Sequence, residues 1–170
     1  MSRKHPIVAI ARPSGVVTPE MLKSFDRVFR RKNIVAAIVQ GDGFHRYSRI
    51  DMKKELAKAN SEGNRHFSHF GPDANLFDEL EDLFSCYGKN GAGRRRYYLH
   101  NDNDVENCAY EGLQSGEFTP WENLPEGSDL LFYQGMHGCI TTGDTNIAQY
   151  VDLKLGIAPL INMEWMQKID

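Results

Sequence analysis

Residues 12–19, Arg-Pro-Ser-Gly-Val-Val-Thr-Pro, stand where a chain of this pattern would handle phosphate. Ahead of them Ile7, Val8, Ala9 and Ile10 form an apolar run of strand length, and Pro13-Ser14-Gly15 marks a turn. Behind them Met21, Leu22, Phe25, Val28 and Phe29 recur at three- and four-residue spacing, which is an amphipathic helix. A buried strand feeding a loop and then a helix presents backbone N–H groups and a positive helix end to phosphate. The residues on that skeleton do not suit this chemistry. A G-x-x-x-x-G-[K/T]-[S/T] loop needs glycine at 12 and 17 and a hydroxyl at 19, where this chain has Arg12, Val17 and Pro19. Thr18-Pro19-Glu20 reads instead as an ordinary helix start, with a threonine N-cap, proline at the first position and a carboxylate in the first turn. Pro19 has no N–H to offer, and Glu20 repels phosphate from the helix end. The segment is read as a lost phosphate loop, with Arg12, Ser14, Gly15, Val17, Thr18 and Pro19 as its degenerate nucleotide-side residues. A loop that works unconventionally, and a strand–helix unit that never bound phosphate, stay open.

The bulk properties narrow the class. A chain of 170 residues with 41% hydrophobic and 25% charged residues suits one domain over residues 1–170, able to bury a core without staples. A net charge of −3 argues against nucleic acid and against a polybasic membrane patch. No apolar run approaches ~18 residues and MSRKHP is no signal peptide, so a cytoplasmic protein is expected. Cys86, Cys108 and Cys139 show neither a disulfide framework nor a zinc pattern. His5, His66, His69 and His137 show no metal-ligand arrangement, and no metal site is expected.

In chain order, Ile34 to Val39 is a second buried strand, followed at once by the loop Gly41 to Arg49. Strand, helix and strand within about thirty residues predict a right-handed crossover and a parallel sheet. Ligands then sit beyond the carboxyl ends of the strands, where the 11–19 and 41–49 loops lie. Ile50 to Ser61 is a polar helix carrying Lys53 and Lys54, and Ala74 to Tyr87 an amphipathic one. Gly88 to Gly93 is a glycine-rich turn, Tyr97 to His100 a strand, and Asn101 to Gly127 mostly polar loop anchored by Phe118 and Trp121. Leu130 to Tyr133 and Leu153 to Ile161 are further buried strands, and Asn162 to Asp170 starts a helix.

Read together, several ordered blocks resemble the bacterial type of phosphoribulokinase. They are Gly41-Asp42-Gly43-Phe44-His45-Arg46-Tyr47, Phe67-Ser68-His69-Phe70, Tyr98-Leu99-His100, Leu130 to Gly138, and Asn162 to Lys168. The resemblance implies a three-layer α/β P-loop NTPase-like domain with a mainly parallel central sheet. It implies transfer of the ATP γ-phosphoryl to the 1-hydroxyl of D-ribulose 5-phosphate, a Calvin-cycle step. Such transfer rests on positioning, charge neutralisation and a base for the hydroxyl. Asp42 matches the family's catalytic base and Lys168 a lysine near the transferring phosphoryl. His45, Arg49, Tyr98 and His100 match residues that hold the sugar phosphate, with Lys53 and Arg96 as weaker candidates. Cations and hydrogen-bonding groups of this kind suit a doubly charged phosphate and a polyol. Taken alone, Asp42 would be a turn cap, His100 a structural histidine, Arg94 to Arg96 a solvated turn and Lys168 a surface charge.

The same resemblance exposes departures. Besides the loop, Gln134 stands where the family has a glutamate serving the metal, and magnesium prefers hard anionic oxygen. Family members also continue past the stretch that ends here in Lys168-Ile169-Asp170, so a C-terminally truncated domain needing a partner chain or oligomer is expected. The expected function is therefore a non-catalytic sugar-phosphate-binding, assembly or regulatory subunit. No cofactor is expected on that reading; ATP and Mg enter only under the alternative, an active phosphoribulokinase.

Overall fold

Four apolar runs pair side by side, all parallel, and everything that matters for function hangs from their carboxyl ends. The computed structural model describes residues 4–12, 19–143 and 145–158, with backbone alone for 19–21. In chain order its elements are β1 (Ile7–Ala11), α1 (Pro19–Arg31), β2 (Ala36–Gln40), α2 (Arg49–Ser61), α3 (Phe77–Asn90), β3 (Arg94–Arg95), α4 (Asp102–Asn107), β4 (Glu122–Asn123), β5 (Leu130–Gly135), β6 (Thr141–Thr142), β7 (Thr145–Asn146) and β8 (Leu153–Gly156). The main sheet runs β2-β5-β1-β8. The strand–helix–strand unit expected at the start is therefore parallel, but β5 lies between its two strands.

Register sorts the side chains onto two faces. Ala9 and Val39 both lie beside Tyr133, and this row packs under α3, where Leu80, Phe84 and Tyr87 are fully buried. Burying each such side chain is worth about 2 kcal/mol. Phe84 meets the Tyr133 ring edge-on at 5.4 Å between centroids. On the opposite face Val8 and Ile38 flank Phe132, which receives Phe25 and Phe29 of α1 at 4.9 and 5.2 Å. Helix, sheet and helix make the three layers, as the resemblance implies.

Boundaries moved where local chemistry decided them. α3 runs through Gly88 to Asn90 and ends only at Gly91, whose φ of 74° takes the left-handed cap. The strand expected at Tyr97–His100 is not continuous. Regular antiparallel pairing joins β3 to β4, and beyond it only Tyr98 and Phe118 bridge. The ladder breaks because the Thr119 side chain accepts the Tyr97 N–H at 2.9 Å and Pro120 has no N–H to give. The expected loop after Asn101 contains α4, started by Asn101 accepting from the Asp104 N–H at 3.0 Å. That helix lacks apolar periodicity, so only its cap was legible. β8 is an exposed edge strand rather than the buried one expected, because among the described residues only β1 pairs with it, and it ends at Gly156, short of the expected Ile161; residues 159–161 lie outside the described part. The helix expected from Asn162 lies there as well. Among the described residues no helix is long and apolar enough to cross a membrane.

Candidate functional site

Immediately after β2 the chain tightens into a 3-10 turn, Gly41–Phe44, which lifts Asp42 above the carboxyl end of the sheet. Glycine flanks Asp42 for steric reasons. A methyl group at Gly41 would overlap the Tyr133 hydroxyl beneath it, and one at Gly43 would overlap the carbonyl oxygen of Arg96. Asp42 faces a cavity of about 520 Å³ into which β1, β2, the start of α2 and the 69–70, 98–100 and 136–137 segments each contribute. The 11–19 loop and the 41–49 loop both leave carboxyl ends of strands, as expected, but residues 13–18 lie outside the described part.

Asp42 is the electrostatic centre. Its Oδ2 lies 3.2 Å from His100 Nε2 and its Oδ1 3.6 Å from His45 Nε2. Hydrogen bonding from His100, and then from His45, holds the Asp42 carboxyl well below the usual carboxylate range despite burial. The same contact raises His100 above its ordinary value. The pairing thus favours an ionised carboxylate with a proton held on His100.

His45 is oriented by a chain of fixed donors. Asn75 is 1% exposed, and its amide nitrogen donates to the carbonyls of His69 and Gly71 at 3.0 and 2.7 Å. Its oxygen must therefore face His45, so Nδ1–H of His45 donates to it at 2.7 Å. That bond turns Nε2 toward Asp42. His69 stacks against His45 at 4.5 Å, and His137 Nε2–H donates to the Phe70 carbonyl at 3.1 Å. Burial lowers the pKa of both His69 and His137, leaving them as hydrogen-bonding groups rather than charges. Sequence reasoning dismissed both for lacking a metal pattern. The only signal for them was their position in the Phe67–Phe70 and Leu130–Gly138 blocks.

The remaining expected residues divide. Tyr98 stands edge-on to His100 at 4.8 Å and, with Arg49, lines the cavity. Arg49 enters at the first turn of α2, whose cap is Ser48, and donates to the His100 carbonyl at 2.7 Å and to Ser115 Oγ at 3.0 Å. Arg96 is not in the cavity. Its guanidinium donates to the carbonyls of Gly43 and His45, each at 2.7 Å, and lies 3.9 Å from the Phe118 ring centroid and 4.8 Å from that of Trp121. It buttresses the Asp42 turn from behind rather than meeting a ligand. Lys53 is exposed on α2, one turn beyond Arg49, and is not among the cavity-lining residues either. Ser14, Gly15, Val17, Thr18 and Lys168 lie outside the described residues, and of Pro19 only the backbone is described.

At the β1–β5 end the polar groups lack partners. Gln134 is 4% exposed and its Oε1 has no hydrogen-bond partner. Arg12 Nε and the Tyr133 hydroxyl are likewise buried and unpartnered. Burial, together with the charge of Asp42, pushes the Tyr133 phenol up, with the nearby His137 backbone, short of a well-formed hydrogen bond, and then Arg12 acting against it. Among the described residues no group of three or more histidines, cysteines or acids is arranged to hold a metal. The described cysteines are unpaired and half-buried. A hollow of about 590 Å³ between α3 and the 121–127 segment, lined by Glu79, Asp82 and Arg94, lies away from this cluster.

The model of the phosphoribulokinase / uridine kinase family matches residues 7–170. The chain belongs to that family. It is 50% identical over 169 residues to a phosphoribulokinase of Nitrobacter vulgaris and 46% identical to the chromosomal phosphoribulokinase of Cupriavidus necator, in each case over 99% of this chain and 57% of the relative. A solved phosphoribulokinase from Rhodobacter spheroides superposes with a TM-score of 0.85 at 42% identity, covering 99% of this chain and 56% of that one. The chain thus spans little more than half the length of the relatives it matches.

Proposed function

We propose that this family member binds a five-carbon sugar phosphate of the ribulose 5-phosphate type in the Asp42 cavity and does not transfer phosphoryl groups, serving as a sugar-phosphate-binding, assembly or regulatory subunit. The observation that carries the reading is Gln134, a buried neutral amide with an unpartnered oxygen at the end of β5. The resemblance puts a metal-serving glutamate there.

ATP and magnesium do not fit the residues present. Magnesium draws on anionic oxygen, and this end of the sheet offers an amide and the guanidinium of Arg12. α1 begins at Pro19, which cannot donate an N–H to a phosphate. Losing a metal-serving carboxylate in a low-dielectric site costs several kcal/mol of transition-state stabilisation, on the order of a thousandfold in rate or more. On the sugar side the groups suit their task. Arg49, and His100 when it carries the proton that Asp42 helps to hold, attract the phosphate, while Asp42, His69 and His137 meet hydroxyls.

A second reading is an active phosphoribulokinase, favoured by the names of the relatives and by an Asp42 held ionised, as a base must be. Its whole-protein partners, protein or oligomeric, go with either reading. Assay of the purified chain with ATP, magnesium and ribulose 5-phosphate separates the two. We expect no bisphosphate product and no calorimetric ATP binding up to millimolar concentration; turnover near ~1 s⁻¹, ordinary for an enzyme, would rule out the non-catalytic reading.

A further inference from the structure

We propose that Arg12 gives the Asp42 cavity a second anion-binding pole, so that its preferred ligand is a five-carbon sugar carrying an anionic group at each end rather than at one. The inference rests on the sugar-phosphate reading above and narrows the ligand of that same site.

Arg12 follows directly on β1 and lines the cavity together with Asp42, His45 and Arg49. It is half-buried, its Nε is sealed from solvent without a hydrogen-bond partner, and no ion pair to it exists among the described residues. A guanidinium is a permanent cation, so a partly desolvated positive charge faces the cavity with no carboxylate paired to it among the described residues. Such a group rewards an anion strongly, because the cost of desolvating it is already incurred.

The opposite pole is separate in space. β5 lies between β1 and β2, so Arg12 and the Asp42 turn are two strand spacings apart, roughly 10 Å. His100 and Arg49 belong to the Asp42 end, since His100 Nε2 lies 3.2 Å from Asp42 and Arg49 donates to the His100 carbonyl at 2.7 Å. The cavity therefore holds one cation at its β1 end and, at its β2 end, a carboxylate with histidines and a second cation. An extended pentose with a phosphate at each end matches that arrangement of charges, with its hydroxyls over Asp42, His69 and His137. A monophosphate fills one pole and leaves Arg12 unpaired.

Calorimetry without nucleotide or magnesium tests this with ribulose 5-phosphate, ribulose 1,5-bisphosphate and inorganic phosphate as probes. We expect the bisphosphate to bind at least about 10-fold more tightly than the monophosphate, the gain of one charge-assisted contact pair. Arg12→Gln should bring that ratio to within about twofold of one, and Arg12→Lys should keep part of it. A ratio near one in the unaltered chain overturns the inference without any variant, and so does an unchanged ratio in a folded Arg12→Gln protein. Inorganic phosphate alone binding as tightly as the bisphosphate also overturns it, since the sugar would then contribute nothing. If neither sugar phosphate binds, the sugar-phosphate reading falls and takes this one with it. ATP-dependent turnover would end only the non-catalytic reading, because these titrations contain no nucleotide.

Discussion

At the β2 end of the sheet, Asp42 is held by His100 and His45, and its turn is tied down by Arg96 through two carbonyls. At the β1–β5 end, Arg12 Nε, the Tyr133 hydroxyl and Gln134 Oε1 are buried without partners. These ends share one strand edge and one cavity. Buried polar groups are ordinarily paired, because each orphan costs about 1–3 kcal/mol. The contrast teaches that the Asp42 end is preorganised without a ligand, whereas the other end carries polar groups whose partners the described residues do not supply.

The largest effect should come from crowding the preorganised end. Gly43→Ala drives a methyl group into the Arg96 carbonyl and should destabilise the fold by about 3 kcal/mol, read as a lower urea midpoint. A loss below about 0.5 kcal/mol would show that the turn has slack and that the contrast is overstated. Next, Arg96→Met removes two carbonyl bonds and the stacking on Phe118 and Trp121. It should cost about 2 kcal/mol and weaken ribulose 5-phosphate binding, although Arg96 does not line the cavity. Unchanged affinity would separate the buttress from the site.

A smaller effect is one of pH. The folded pKa of His100 is raised above 6.5, so the stabilisation from its contact with Asp42 is complete below that value and is lost as pH rises through the raised one. The folded pKa of Asp42 lies below 3.8, so its share is present above that and fades only as pH falls through the depressed value. Sugar-phosphate affinity should therefore decline as pH climbs above 6.5, and His100→Gln should flatten the slope. A slope that persists in His100→Gln would assign it to another group. The smallest effect is expected from Lys53→Ala: within about twofold in ribulose 5-phosphate affinity, because Lys53 is exposed and does not line the cavity. A tenfold loss would put it back in the site.

Much of this was legible in particular residues. The apolar run at Ile7–Ile10 and the spacing of Phe25 and Phe29 prescribed a strand and the helix face that covers Phe132. Gly41-Asp42-Gly43 after a strand placed a carboxylate at a carboxyl end. The placement of Arg96 outside the cavity was not legible, because a run of arginines next to a strand says nothing about which way each guanidinium turns. Here two carbonyls and two aromatic rings from distant segments decided it.

Sequence alone thus determined the local elements and the residue types that depart from the family pattern at positions 12, 17, 19 and 134, since periodicity, caps and functional groups are properties of neighbouring residues. Only the tertiary structure decided that β5 enters between β1 and β2, that His69 and His137 join Asp42, and that Arg12 and Arg49 line one cavity. Those relations join residues far apart in the chain through strand pairing and shared core, and no local pattern encodes which distant partner a strand end will meet.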